Sequence, residues 1–224
     1  MLRALRNALP AILLAGVLLA VFHDKPYTID DSFFLRQARQ VIREPANPSG
    51  FEWFWDHRWD RVSRLSPSGA GMAYLLVPAT LLGAPEWAAH LTLMLLLALA
   101  ALAMARLTLR LGATDAESAA ASLLLVTAPT VLAMSATAMP DVPALAIGLW
   151  GMERLLAFRK RGNAAVGLTA GILLGLSIFT RSHAVMLLPV GALFLWPRRR
   201  SLWPSLSRSR SFSAFSHAIP SPGT

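Results

Sequence analysis

Hydrophobic residues in this chain are grouped into long blocks that short polar segments separate. A helix needs about 20 mainly apolar residues to cross the hydrocarbon core of a bilayer, and several blocks approach or reach that length. The pattern therefore predicts an all-α, polytopic transmembrane bundle of about six spans. The predicted spans are residues 8–22, 87–109, 118–139, 142–158, 164–180 and 184–196, with a kink at Pro129 in the third.

The apolar segment 70–84 is too short to cross the bilayer as a helix. Its 15 residues would extend about 22 Å, against roughly 30 Å of hydrocarbon. Counting it as a span would also move Arg106, Arg110 and the basic run 159–161 to the non-cytoplasmic side, against the positive-inside rule. We therefore expect an interfacial or re-entrant helix inside a long outer loop, residues 23–86.

Basic residues lie mainly at one end of the predicted spans. Contact of these clusters with anionic lipid explains the net charge of +9, so a nucleic-acid partner is not predicted. The arrangement predicts a multi-pass protein of a bacterial-type plasma membrane with both termini cytoplasmic. The clusters are Arg3 and Arg6, Arg106 and Arg110, residues 159–161 and residues 198–200.

Composition agrees with a membrane protein. The chain of 224 residues is 55% hydrophobic and 15% charged, whereas soluble domains carry about 25% charged residues. Because there is no Cys, disulfides and thiolate metal sites are excluded. After residue 200 the chain becomes rich in Ser, Pro and Arg, which predicts a disordered tail at 201–224 beyond one transmembrane domain at 1–200.

The segment 31–43 has the pattern of an amphipathic helix that lies in the membrane interface. Its apolar positions follow helical spacing, and its arginines share another face. In this position the helix would bury its phenylalanines and hold its arginines at the depth of lipid phosphates. The apolar set is Phe34, Leu35, Ala38, Val41 and Ile42, and the basic set is Arg36, Arg39 and Arg43.

Acidic residues at the predicted outer face are the first candidates for chemistry. Asp30 and Asp31 precede the amphipathic helix, so one of them is well placed as a helix cap. A carboxylate at a membrane surface beside arginines can also act as a general base, and the arginines can hold a lipid-linked phosphate. Asp141 begins the fourth span, where it is either a cap or a functional acid near an apolar bundle.

A second group of candidates lies in the tight outer turn 180–183. Arg181 is a basic residue on the outer face, against the charge rule, so we expect it to pair with Asp141 or a phosphate. The alternative is that Arg181 and His183 extend to lipid headgroups.

Other polar residues carry weaker signals. We expect His90 to be a packed, hydrogen-bonded residue and Glu153–Arg154 to be a local pair that extends toward the cytoplasmic interface. The spacing of Glu52, Asp56, His57 and Asp60 matches no specific metal site. No phosphate-binding Gly loop, zinc helix motif or nucleophile elbow is present.

The order of these features resembles that of the GT-C membrane glycosyltransferases, in particular the dolichyl-phosphate-mannose-protein mannosyltransferase and aminoarabinose transferase group. The matching features cover about residues 8–200. They are Asp30–Asp31 with the following helix, a Pro-led apolar segment from Ser66–Pro67 to Gly83, a long span with inner arginines, the acidic motif around Asp141, and a Gly-rich helix ending at Arg181. The family usually has His or a charged residue at the position of Ser66, and Lys at the position of Arg181.

The resemblance implies transfer of a sugar from a polyprenyl-phosphate donor to a glycan, lipid or protein acceptor at the outer membrane face. We expect no cofactor and assign no residue to a metal. By resemblance, Asp30 is the general base, and Asp141 is a supporting acid that positions the acceptor or the base. The implied substrate-binding residues are Asp31, Arg36, Arg39, Arg181 and His183.

Family members typically continue through several more helices, so we expect an N-terminal portion of the bundle. The alternative is a non-catalytic, lipid-phosphate-binding membrane fragment or a partner subunit. A transporter is less favoured, since the acids lie at helix ends rather than near the midplane.

Overall fold

The computed structural model describes residues 1–65 and 69–195 of the chain. Ser66, Pro67, the basic run 198–200 and the predicted tail 201–224 lie outside the described residues. Helices make up nearly all of the regular structure. The elements are α1 (Leu2–Ala20), α2 (Ile29–Arg43), β1 (Glu52–Trp55), β2 (Arg58–Arg61), α3 (Val62–Leu65), α4 (Gly71–Leu75), α5 (Val77–Leu81), α6 (Glu86–Leu111), α7 (Asp115–Thr127), α8 (Pro129–Ser135), α9 (Asp141–Arg161), α10 (Ala164–Thr180), a 3₁₀ turn (Ser182–Met186) and α11 (Leu187–Leu195).

The prediction of an all-α membrane protein is confirmed. By length and composition, α1 and α6 can each cross a membrane. The pair α7 and α8 bends by 59° and gives a third crossing if counted as one span, in agreement with the predicted kink at Pro129. Helix α9 carries Glu153 and Arg154 within its apolar stretch, and α10 has only 17 residues. The total of six spans stays a prediction.

Small residues allow the helices of the bundle to approach closely. Helix α6 is the centre of the bundle and packs against α1, α7 and α9, while α10 packs against α9. At Gly151 of α9, a Cβ atom would lie 2.9 Å from the side chain of Leu174 in α10. Ser177 of α10 donates a hydrogen bond to the carbonyl of Ala144, at 2.7 Å. Such close packing and interhelical hydrogen bonding hold helices together where lipid removes the hydrophobic driving force.

The bundle has two ends of opposite chemical character. At one end, which we call the acidic end, lie Asp30, Asp31 and Asp141. At the other, which we call the basic end, Arg110 near the C-terminus of α6 meets Glu153 of α9, and Arg3 of α1 meets Asp115 at the start of α7. The main helices therefore alternate in direction, as the predicted threading requires.

The apolar segment 70–84 forms two short helices, α4 and α5, that meet at Leu76. At its beginning, a Cβ atom on Gly71 would lie 2.2 Å from the Thr180 hydroxyl at the end of α10. At its end, the Ala84 carbonyl accepts a hydrogen bond from the Tyr27 hydroxyl at 3.0 Å. Both contacts lie at the acidic end, which is the geometry expected of a segment that does not cross the bundle.

Helix α2 forms as predicted, but its apolar face is covered by protein rather than by lipid headgroups. It packs on α4 and α5, and its buried apolar residues belong to the core of the acidic end. The expectation that the phenylalanines of this helix enter lipid is therefore wrong, because the short helices of the same loop supply an apolar partner. Its position in the membrane interface stays a prediction. The buried residues are Phe33, Phe34, Leu35, Ala38 and Val41, while Ile42 is exposed.

The hairpin β1–β2 was not predicted from the sequence. Its two strands are antiparallel and pair Trp55 with Arg58 across a two-residue turn. The turn residues Asp56 and His57 have φ of 52° and 63°, the left-handed geometry of a tight hairpin turn. No Asn-Gly or Asp-Gly pair marks this turn, so the strongest sequence signal for a hairpin is missing.

Candidate functional site at the acidic end

Asp31 is the residue that anchors the start of α2. Its side chain is fully buried, and its Oδ2 atom accepts hydrogen bonds from the Thr28 backbone N–H at 2.8 Å and the Thr28 hydroxyl at 2.9 Å. This is the reciprocal half of a capping box, in which the third residue of a helix bonds back to the capping residue. The cap expected of one acid of the pair is therefore formed by Asp31.

The other oxygen of Asp31 connects two parts of the chain that are distant in sequence. Oδ1 accepts a hydrogen bond from the backbone N–H of Ala138 at 2.6 Å. Ala138 lies in the turn between α8 and α9, three residues before Asp141. Charge-assisted hydrogen bonds of this kind, formed where water is excluded, are among the stronger hydrogen bonds in proteins. The contact places the Asp30–Asp31 pair and the Asp141 motif at the same end of the bundle.

Two further contacts fix the segment that leads into α2. The Lys25 ammonium donates to the Ala136 carbonyl at 3.2 Å. The Nε2 atom of His90 in α6 lies 3.0 Å from the Lys25 carbonyl, and the His90 side chain is buried. His90 is therefore the packed, hydrogen-bonded residue that the sequence predicted.

Asp30 has a different environment from its neighbour. It is half-buried, and within residues 1–65 and 69–195 its carboxylate has no hydrogen-bond or ion-pair partner. A carboxylate that is neither capping a helix nor paired can accept a proton from an incoming hydroxyl. Of the two adjacent acids, Asp30 is thus the one that is chemically available.

Asp141 and Arg181 form an ion pair between the start of α9 and the end of α10. Arg181 Nε lies 3.2 Å from Asp141 Oδ1, and both side chains are partly exposed. This is an ion-pair distance, but the orientation of the two groups does not make a hydrogen bond. Among the described residues, neither Arg181 Nε nor the buried Asp141 Oδ2 has a hydrogen-bond partner. The acidic partner expected for Arg181 is present, and the pair still has polar atoms that can form hydrogen bonds with a ligand.

Residues 69–71 lie directly against the end of α10. A Cβ atom on Gly69 would lie 1.4 Å from the Phe179 carbonyl, so only glycine fits there. Together with Gly71, it lets the loop contact the last turn of α10 immediately before Arg181. This segment therefore lies at the same end of the bundle as Asp141 and Arg181.

Tyr27 lies beside the start of α2 and responds to the charges of the site. Its hydroxyl is partly buried, and burial is the main cause that raises its pKa to about 12, with Glu86 and Asp31 adding to the effect and Arg39 opposing it. A buried phenol is harder to ionise because its anion loses hydration, and nearby carboxylates act in the same direction. Tyr27 is therefore a neutral hydrogen-bond donor at physiological pH.

The remaining predicted binding residues, Arg36, Arg39 and His183, make no hydrogen bond or ion pair with Asp30 or Asp141 among the described residues. The Arg36 guanidinium is stacked over the Phe51 ring, 5.6 Å from its centroid, on the side of the hairpin. Arg39 and His183 are exposed. No contact described in the structure joins any of these three residues to Asp30 or Asp141.

A buried ionic cluster at the basic end was missed by sequence reasoning. Glu153 is fully buried, and its carboxylate accepts hydrogen bonds from Arg106 at 2.9 Å, from Arg110 and from Arg154. The expected Glu153–Arg154 pair is present, but its position at the interface is wrong: Glu153 is fully buried and also pairs with Arg106 and Arg110, so the acid holds α6 and α9 together. The arginines of α6, four residues apart on one helix face, were the available signal.

The hairpin acids do not converge on a metal site. Within the described parts of the chain, no group of three or more His, Asp and Glu side chains is arranged to hold a metal ion.

Comparison with protein families gives one match. The family model described as dolichyl-phosphate-mannose-protein mannosyltransferase matches residues 72–219, well over half of the chain. No curated protein and no solved structure matches the chain. The matched range contains Asp141, Glu153 and Arg181, and it begins after α2.

Proposed function

Because the chain belongs to the dolichyl-phosphate-mannose-protein mannosyltransferase family, we propose that it transfers a sugar from a polyprenyl-phosphate donor to an acceptor at the outer face of the membrane. The family membership implies a membrane glycosyltransferase role and a polyprenyl-phosphate-linked donor. The outer-face location and the roles of individual residues below belong to our proposal.

The observation that carries the assignment of the site is the hydrogen bond from Ala138 to Asp31. It brings the acids in the first turn of α2 next to the turn that leads to Asp141. Two carboxylates and a guanidinium therefore belong to one end of the bundle, where a donor with a lipid tail and a polar acceptor can meet. This supports a shared site rather than two independent helix caps.

In the proposed reaction, Asp30 acts as the general base. It accepts the proton of the acceptor hydroxyl while the hydroxyl oxygen forms a bond to the anomeric carbon of the donor sugar. The bond between that carbon and the phosphate oxygen breaks, and the polyprenyl phosphate leaves with the electron pair. A single displacement of this kind inverts the configuration at the anomeric carbon, by analogy with one-step glycoside displacement.

Arg181 is proposed to hold the donor phosphate, with Asp141 orienting it. A guanidinium has five N–H donors, and the contact with Asp141 involves its Nε side. The Nη groups therefore stay available for phosphate oxygens, which bind Arg through charge-assisted bonds. Positive charge facing the phosphate also stabilises the charge that develops on the leaving group. Arg36, Arg39 and His183 stay weaker candidates for contacts to the donor or to lipid.

The test is sugar transfer from a labelled polyprenyl-phosphate sugar by membranes that contain the Asp30→Asn variant. We expect turnover to fall by about 10²–10⁴-fold, since the amide cannot accept a proton, while donor binding is retained. Arg181→Ala is expected to weaken donor binding instead. Asp24→Asn is the matched control, because Asp24 lies in the same loop and its side chain is 78% exposed.

The outcomes separate the proposed enzyme from the alternative. Wild-type turnover in Asp30→Asn would refute the assignment of the base. If the unaltered chain binds the donor through Arg181 without transferring sugar, the non-catalytic lipid-phosphate-binding function is supported. If it does neither, both functions are refuted.

We also propose that the acidic end faces outward and that both termini are cytoplasmic. The positive-inside rule and the gathering of arginines at the basic end favour this orientation. The chain has no Cys, so single cysteines at the exposed positions Ala46, Ala116 and Ala164 can each be labelled selectively. In intact cells an impermeant thiol reagent should label only the cysteine at position 46. Labelling at 116 or 164 but not at 46 would show the opposite orientation.

A further inference from the structure

A groove lies along one face of α9, between α6 and α10, and its long wall is apolar. Its volume is about 520 Å³. Ile147, Trp150 and Arg154 are spaced three and four residues apart, so they share one face of α9 and line the groove in this order toward the basic end. Leu96 and Leu99 of α6 line one side, and Leu173 of α10 lines the other.

The basic end of the groove carries guanidinium groups. Arg106 and Arg154 both line it. The Arg106 guanidinium is stacked over the Trp150 ring, 5.2 Å from its centroid, and the Trp150 indole donates a hydrogen bond to the Leu99 carbonyl at 3.1 Å. These contacts hold the Trp150 ring and the Arg106 charge next to each other.

The charges at this end do not balance. Arg106, Arg110 and Arg154 surround a single carboxylate, Glu153. The net formal charge of these four side chains is therefore +2. Positive charge inside a helix bundle in a membrane is costly unless it meets an anion or water. An apolar wall that ends at such a charge fits an amphiphile with an anionic head.

We propose that this groove binds an anionic phospholipid of the leaflet at the basic end. One acyl chain lies along Ile147, Leu96 and Leu99, and the phosphate contacts Arg106 and Arg154. The site is separate from the proposed donor site, because Arg154 is 13 residues along α9 from Asp141, about 20 Å as a helix. The inference does not depend on sugar transfer.

The probe is quenching of tryptophan fluorescence by brominated acyl chains. The full chain is reconstituted in phosphatidylcholine that contains about 10 mol% of either brominated phosphatidylglycerol or brominated phosphatidylcholine. The difference between the unaltered chain and a Trp150→Phe variant isolates the emission of Trp150 from that of the other tryptophans. Attraction of anionic lipid to basic residues near the surface leads us to expect a preference on the order of tenfold. Trp150 quenching should then reach about half of its maximum with the anionic lipid and about a tenth with the zwitterionic one.

Two variants of α9 test the role of charge in the groove. Arg154→Gln should reduce the preference to about threefold or less, and Arg154→Lys should largely keep it. Glu153 stays paired with Arg106 and Arg110 in both variants, and circular dichroism checks that the helices are kept. Arg159→Gln is the matched control, because Arg159 is exposed on the same helix and does not line the groove.

Three results would overturn the proposal. The first is equal quenching of Trp150 by the two brominated lipids. The second is an equal effect of Arg154→Gln and Arg159→Gln, which would indicate surface charge alone. The third is displacement of the brominated phosphatidylglycerol by polyprenyl phosphate at a lower mole fraction than by unlabelled phosphatidylglycerol, which would identify the occupant as the donor lipid.

Discussion

Replacing Asp31 with Asn should destabilise the fold strongly, although the change removes no volume. The carboxylate accepts three hydrogen bonds, two at Oδ2 from Thr28 and one at Oδ1 from Ala138. The amide oxygen can replace only one of the two carboxylate oxygens. If it takes the Oδ2 position, the amide NH₂ faces the Ala138 N–H, and two donors meet in a buried place.

The size of the effect follows from these contacts. A hydrogen bond to a charged group contributes about 1.5–3 kcal/mol, and a buried donor without an acceptor costs about 1–3 kcal/mol. Because Asp31 is fully buried, solvent does not screen the loss. We expect the free energy of unfolding to fall by about 2–4 kcal/mol. For a chain of 150–250 residues, 1 kcal/mol corresponds to about 2–4 °C, so the melting temperature should fall by about 5–15 °C.

The assay is thermal unfolding of the purified chain in detergent, followed by tryptophan fluorescence. The neighbouring Asp30→Asn variant is the control, and its melting temperature should stay within about 2 °C of the unaltered chain. Surface substitutions without specific partners change stability by less than about 0.5 kcal/mol. If the two variants melted alike, or if Asp30→Asn were the less stable, the division of roles between the two acids would be refuted.

Two further predictions concern the other polar groups of the bundle. Glu153→Gln should lower the free energy of unfolding by about 3–5 kcal/mol, since it leaves three partly buried arginines without their anion. The exposed control Glu117→Gln should have little effect because Gln also serves in a capping box, and equal stability of the two variants would contradict the role of the cluster. In a Tyr74→Phe chain, Tyr27 is the only tyrosine, and its absorbance at 295 nm should titrate with a midpoint at about 12 rather than at the ordinary 10.0. Since the folded chain favours the neutral phenol, the stabilisation is complete below pH 10 and is lost as the pH rises from 10 to about 12; a midpoint near 10 would show that Tyr27 is not buried against Ala84.

The helices could be predicted from the sequence where the hydrophobic blocks were long and continuous. The bounds of α6, α9 and α10 agree with the predicted spans within a few residues, because lipid-spanning blocks leave little choice of structure. The pairing of Arg181 with an acid was also predicted, since a basic residue at the acidic end needed a partner.

Tertiary contacts between distant segments could not be predicted from local patterns. The apolar face of α2 was expected to contact lipid. The spacing of apolar residues shows that one face of a helix is buried, but it does not show whether lipid or protein covers that face. The Glu153 cluster depends on how α6 and α9 are rotated against each other, which no single helix determines. Asp31 and Asp30 are adjacent acids in sequence, and the contacts of Asp31 with Thr28 and Ala138 distinguish their roles.

The hydrogen bond between Asp31 and Ala138 also sets an order of events during synthesis. The two residues are 107 positions apart, and chains grow at about 5–20 residues per second. For roughly 5–20 s after α2 leaves the ribosome, Asp31 therefore has no Ala138 with which to bond. During that interval α2 can already pack on α4 and α5, but the bond to Ala138 forms only when α7, α8 and the following turn have been synthesised. The start of α2 is thus fixed to the rest of the acidic end late, after α7 and α8 have been synthesised.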